Sequence, residues 1–198
     1  MEEEQVGNKS MIDFKEIDGN RVKLITLNRG YIEDIHEYSV LPEFYRYLEY
    51  PPFKKIKETE IFFEKLCKRS NGQTCHYWLI FLKDKKKVIG TFGLHDIDWR
   101  RGNGELTYGL SPKFWGKGFF SESLKLILGW AFTNNRFHRL FIKTGAQNRA
   151  SIIAAKKLGF QHEGVMREFY LDEKSNERQD AVTLSMLKND YKIHNTSV

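Results

Sequence analysis

Apolar residues along this chain switch between two spacings, and the switches mark out its elements. Residues 22–27 alternate apolar and polar positions as a half-buried strand does, whereas Ile32, Ile35 and Tyr38 recur at helical spacing. Ile61, Phe62 and Leu66 repeat that helical pattern within 56–67. Segments 77–82 and 88–98 flank a charged turn at 83–87, which is the pattern of an antiparallel hairpin. Residues 105–110 make a fourth strand, a helix over 120–133 carries Leu124, Ile127 and Leu128 inward, and Arg139 opens a fifth strand. A short helix over 150–158 and a closing strand pair at 160–170 and 181–187 complete the series, so the predicted fold class is mixed α/β.

At 198 residues with 40% hydrophobic content, the chain fits one domain with ample core. We expect that domain over 20–190, preceded by a polar lead-in at 1–19 that is either flexible or an extra strand, and followed by a tail at 191–198. The apolar runs are too short to span a bilayer, and the acidic start at 2–4 has the wrong charge for a signal peptide, so a cytoplasmic address is expected. Cys67 and Cys75 then read as unpaired thiols, and six scattered histidines offer no metal site. The net charge of +6 is spread among acids, as at 54–68 and 83–87, which describes a solvated face. It lacks the aromatic-basic signature of RNA-binding modules, so no direct nucleic-acid partner is expected.

Chemistry enters at 108–123, YGLSPKFWGKGFFSES, where a strand runs through a glycine-bearing loop into a helix. Such a junction aims free backbone N–H groups at an anion on the helix N-terminus. Gly116 and Gly118 allow tight turning and close approach, and Lys117 adds positive charge. No Gly-Lys-Ser/Thr follows and the third glycine of a dinucleotide fingerprint is missing, so this is neither a P-loop nor a Rossmann loop. A phosphate-bearing ligand is the inference.

Downstream, Asn148 and Ser151 open the short helix, Lys157-Leu158-Gly159-Phe160 closes it, and Glu163-Gly164, Arg167 and Asp180 follow. Together with Tyr108, Pro112, Trp115-Gly116-Lys117-Gly118, Glu122, Ala131-Phe132 and His138-Arg139, they fall in one order over the C-terminal half. In these residues the chain resembles the GCN5-related N-acetyltransferases, and within them the group that acetylates ribosomal-protein N-termini. The likeness is looser before about residue 78, where that family builds its acceptor site. It implies a mostly antiparallel central sheet, flanked by helices and splayed between the fourth and fifth strands, where acetyl-CoA enters. It also implies transfer of acetyl to a primary amine; for the assembly, monomer and homodimer both stay open. The acceptor is a protein N-terminus or a small amine such as a polyamine, amino acid or aminoglycoside. A catalytically silent acetyl-CoA-binding module is the alternative.

Carried onto this chain, the resemblance puts the backbone of Trp115, Gly116, Lys117, Gly118, Phe119 and Phe120 on the cofactor pyrophosphate, with Ser121 opening the helix. Trp115 reads equally as a hydrophobic anchor. Phe120 departs from the family's usual Gly or Ala, so its side chain must point away or the loop must shift. Asn148 is an expected N-cap with a place at the cofactor. The family's helical tyrosine is Ala155 here, and Ser151, one turn earlier, takes over as the hydroxyl that approaches the departing sulfur. Glu105 stands at an acidic position that the family often uses as base; pairing with a backbone group or Arg100 is the competing reading. The N–H of Leu110 is a candidate oxyanion donor. Glu163 and Glu168 suit structural or acceptor-orienting roles better than base chemistry. The aromatic run Phe44, Tyr45, Tyr47, Tyr50 and Phe53 reads either as an acceptor-cleft wall or as packing beneath a loop.

Overall fold

In a computed structural model that describes residues 14–133, 137–173 and 175–196, the alternating segments become eight strands. These are β1 (Ile17–Asp18), β2 (Val22–Thr26), β3 (His76–Leu82), β4 (Lys87–Asp98), β5 (Asn103–Leu110), β6 (Arg139–Gly145), β7 (Gln161–Asp172) and β8 (Glu177–Leu187). The helical spacings become α1 (Ile32–Ser39), α2 (Ile56–Arg69), α3 (Phe119–Thr133) and α4 (Arg149–Lys157), and α5 (Lys188–Thr196) ends the described chain. All strands share one sheet in the order β1-β2-β3-β4-β5-β6-β8-β7. Every neighbouring pair is antiparallel except β5 and β6, which run parallel.

That parallel ladder is short. It pairs Asn103 with Arg139, Gly104 with Leu140 and Glu105 with Phe141, and stops although β5 continues to Leu110 and β6 to Gly145. Here is the opening expected between the fourth and fifth predicted strands, renumbered because β1 precedes them. Of the lead-in, Ile17 pairs with Leu24 as the extra strand, and residues 1–13 lie outside the described residues. At the tail expected from 191, α5 runs through that boundary and sets Tyr191 against Phe132, ring centroids 5.3 Å apart. A polar sequence hid one packed face.

Strand alternation divides the side chains between two layers. On one face Phe92, Leu94, Leu106, Leu140, Ile142 and Leu184 pack with Leu124, Ile127 and Leu128 of α3 and Ala155 of α4. On the other, Ile25, Leu79 and Val88 pack with Ile32, Ile35 and Tyr38 of α1 and Phe63 of α2. Side chains of β5 therefore look alternately toward α3 and α4 or toward α1 and α2. The two cysteines are free thiols, Cys67 exposed and Cys75 buried. Among the described residues no helix is long and apolar enough to cross a membrane, and no group of three His, Cys, Asp or Glu side chains could hold a metal.

Candidate active site

The loop between β5 and α3 has the form that its glycines allow. Gly116 and Gly118 adopt φ of +72° and +80°, left-handed values that favour glycine. A Cβ at Gly116 would meet no heavy atom within 4 Å, so the backbone there is open to a ligand. The first helical bond of this turn is Glu122 N–H to the Gly118 carbonyl at 3.0 Å. Among the described residues, the backbone N–H groups of Gly116, Lys117, Gly118, Phe119, Phe120 and Ser121 donate to no acceptor in the chain. Six consecutive free donors at the positive end of a 15-residue helix form a cradle whose electrostatics suit an anion.

Side chains around the cradle are turned to its support. Trp115 is an anchor: its indole N–H donates to the Leu110 carbonyl at 2.7 Å. The Lys117 ammonium folds back to the Lys113 carbonyl at 2.8 Å, so less of its charge is directed at the loop than the sequence suggested. Phe120 points away from the loop, resolving the crowding that its size implied. Its ring packs on Tyr108, centroids 4.4 Å apart, and stacks with Phe92 at 6.3 Å.

At the strand end, the Ser111 N–H donates to the Ile89 carbonyl at 2.8 Å. Because successive backbone groups alternate in direction, the Leu110 N–H faces away from β4, toward the side where the ladder with β6 has ended. On the α3 and α4 face, Ser151 is buried and shares a short hydrogen bond with the phenol of Tyr108. Asn148 caps α4 as expected, its side-chain oxygen accepting the Ser151 N–H at 3.3 Å while its amide donates to Thr144 Oγ1 at 3.0 Å. Burial pushes the Tyr108 phenol up to about 12, against the hydroxyls of Ser151 and Thr144. Tyr108 thus belongs to this group of hydroxyls, a role that the strand pattern alone did not reveal.

Glu105 looks the other way, toward the α1 and α2 side, since Leu106 beside it packs with α3. It is 9% exposed and pairs with the Lys143 ammonium at 2.6 Å, so its partner is Lys143 rather than Arg100 or a backbone group. Burial raises the Glu105 carboxyl above its ordinary range, and Lys143 opposes that rise. The structure does not join Glu105 to Ser151; it puts them on opposite sides of the sheet at one opening. Glu163 is held by Arg139 and by the Ser185 hydroxyl at 2.7 Å, and Arg139 drives its carboxyl down to about 2. It is a weak base. Glu168, at φ +53°, accepts Arg178 at its carbonyl and has its N–H on Asp180, with no contact to Glu105 among its hydrogen bonds.

Most of the aromatic run packs on itself. Tyr45 is 1% exposed, donates to the Ser39 carbonyl at 2.8 Å, and touches the rings of Phe44, Tyr50 and Phe53. Tyr47 instead donates to the Gln147 carbonyl at 3.3 Å, while Glu49 accepts the Leu171 N–H at 3.2 Å and offers its carbonyl to Glu173 N–H at 3.0 Å. These bonds staple the segment to the β6–α4 turn and to β7. A shallow hollow lies there, lined by Arg46, Tyr47, Glu49, Gly145, Tyr170 and Asp172 among others. Burial raises the Tyr170 phenol there, and the negative charges of Glu105 and Glu49 add to the rise.

Known proteins share this fold. The family model described as Acetyltransferase (GNAT) domain matches residues 21–161. The uncharacterized N-acetyltransferase p20 of Bacillus licheniformis is 30% identical over 171 residues, 84% of this chain and 94% of its own. A GCN5-related N-acetyltransferase from Brucella melitensis superposes with a TM-score of 0.83 at 20% identity, covering 94% of this chain and 85% of that one. Spermidine N-acetyltransferase from Vibrio cholerae, solved with CoA and spermine, gives 0.73 at 21% identity over 87% and 98%. The ribosomal L7/L12 alpha-N-protein acetyltransferase RimL gives 0.77 at 18% identity over 87% and 94%. At these identities the solved structures speak for the fold, and the family match with the p20 likeness goes further: this chain belongs to the GCN5-related (GNAT) N-acetyltransferase family.

Proposed function

We propose that the chain transfers acetyl from acetyl-CoA directly to a primary amine, with the donor lying in the opening between β5 and β6. The observation that carries this reading is the run of six unpartnered N–H groups at Gly116 to Ser121 beside that opening. The cradle fits a pyrophosphate in charge, in donor number and in the open backbone at Gly116. Acetyl-CoA, when bound, supplies an activated acetyl as a thioester. Gly116 to Ser121 would hold its pyrophosphate by backbone, while Trp115, expected among them, has its N–H on the Pro112 carbonyl at 3.2 Å and serves as the anchor; Asn148 keeps α4 in place, and the Leu110 N–H is aimed to steady charge on the carbonyl oxygen. CoA in the Vibrio cholerae structure supports this donor.

The two catalytic groups work from opposite sides. Glu105, buried and raised, takes a proton from the acceptor ammonium on the α1 and α2 side, and Lys143 keeps the carboxylate ionised until then. Ser151, backed by Tyr108, gives a proton to the departing thiolate on the α4 side and is restored by the second proton that the acylated nitrogen loses, so that CoA leaves as the thiol. No covalent enzyme intermediate is needed, and neither cysteine lies on these elements: Cys67 is in α2 and Cys75 precedes β3.

Two mutational outcomes follow. Ser151→Ala should lower turnover about tenfold or more while leaving CoA affinity nearly unchanged, since the hydroxyl matters mainly in the transition state. An unchanged kcat with a lowered unfolding midpoint would return Ser151 to a helix-end role. Lys117→Ala should change CoA affinity by less than about threefold, because its ammonium serves the Lys113 carbonyl and is exposed to solvent. Loss of binding in a titration would contradict the backbone cradle.

For the acceptor we favour a protein N-terminus, as in the ribosomal N-acetyltransferase group. The bonds of Tyr47 to the β6–α4 turn and of Glu49 to β7 narrow the acceptor side, which suits a slender chain with the amine at its tip over a branched molecule. Short linear polyamines are the second reading, favoured by Glu49 and Asp172 at the hollow and by the spermidine acetyltransferases among the relatives. A panel of N-terminal peptides, spermidine, amino acids and an aminoglycoside, followed by thiol release, separates them. Turnover with branched aminoglycosides alone would overturn the narrow-passage reading.

A further inference from the structure

Arg21, at the entrance to β2, reaches the cradle from nearly a hundred residues away. Its guanidinium donates through one terminal nitrogen to the Lys117 carbonyl at 3.0 Å and through Nε to Glu122 at 2.8 Å, and it lies over the Phe119 ring at 4.6 Å. Glu122 in turn accepts the backbone N–H groups of Arg21 at 2.6 Å and Val22 at 3.1 Å. The second terminal nitrogen sits 3.2 Å from the place a Cβ on Gly118 would occupy. Arg21 and Glu122 thus tie the β2 strand to both ends of the turn that opens α3.

The consequence concerns one peptide plane. In a trans peptide the carbonyl of one residue and the N–H of the next point opposite ways. Gly118 is at φ +80°, and glycine takes positive and negative φ about equally, so the residue itself does not choose how the Lys117–Gly118 plane faces. Arg21 does, by holding the Lys117 carbonyl on its own side and so turning the Gly118 N–H to the other. A flipped plane would put a carbonyl oxygen where the cradle offers a donor. We infer that the Arg21–Glu122 clamp sets the anion-binding form of the loop, making Arg21 a positioning residue for acetyl-CoA. This rests on the cradle reading above.

The test compares signs. If Arg21 acted only by its charge on the anion, Glu122→Gln would remove a nearby negative charge and tighten CoA binding. If the pair is a clamp, Glu122→Gln and Arg21→Gln both weaken it, each about tenfold, the scale of a lost hydrogen bond to a charged group. Arg21→Lys should recover little, since one ammonium cannot reproduce the forked contacts. Calorimetric titration with CoA, alongside the unfolding midpoint, reads these effects. Weakening by Glu122→Gln in a protein that remains folded at the titration temperature supports the clamp, and tightened or unchanged binding in that variant overturns it. Failure of the unaltered chain to bind CoA would instead strike the cradle reading itself.

Discussion

Replacing Glu105 by Gln should leave the fold and CoA affinity intact and lower amine acetylation by roughly a hundredfold or more, the scale of a positioned general base. Gln keeps the size of the side chain in a position that is 9% exposed, so packing is preserved, while the proton acceptor beside Lys143 is gone. The pH profile carries the sharper signature. Because burial raises the Glu105 carboxyl above its usual value, the unaltered enzyme should lose activity as pH falls through that raised value. The variant lacks this limb, and its deficit should shrink at alkaline pH, where neutral acceptor amine is abundant without help from the protein. A deficit that stays flat across pH would mean that Glu105 orients the acceptor instead. Full activity in the variant at neutral pH would remove it from the mechanism; Glu163, held near 2 by Arg139, would be a poor replacement.

Gly118→Asp should abolish CoA binding, weakening it by at least about a hundredfold, or ~3 kcal/mol. The position has φ +80°, which Asp tolerates better than most side chains, so the loop can still form. The new carboxylate, however, would stand beside Arg21, whose nearest nitrogen is 3.2 Å from its Cβ. There it competes with Glu122 and the Lys117 carbonyl for the guanidinium and sets a negative charge against the row of free N–H groups. Calorimetry with CoA and a thermal scan check the result together. Binding at the unaltered affinity would remove Gly118 from the cradle.

What could be read from the sequence was what local spacing records. Strand and helix periodicity found β2 to β6, α1 to α4 and the closing hairpin, and the glycines of 116–118 announced the tight turn that opens α3. β1 escaped a firm reading because two residues carry no period, and α5 because its lysines, aspartate and asparagines mask the face that meets Phe132. The partners of the site were hidden for a different reason. Lys143 meets Glu105 through the parallel register that sets Glu105 opposite Phe141, Tyr108 meets Ser151 across 43 positions, and Arg21 meets Lys117 across 96. No local pattern encodes such long-range registers. Phe120 shows the converse: its bulk was legible, but its direction was decided by the ring of Tyr108 and the core behind it.

Catalysis and silent binding separate in one assay. The chain is mixed with acetyl-CoA and a panel of N-terminal peptides and linear amines, and free thiol and acetylated amine are measured together. Thiol release should require an amine and match the acetylated product one for one. Calorimetric binding of CoA with no amine-dependent thiol release from any member of the panel would contradict this, leaving a module that holds the cofactor without transferring its acetyl group.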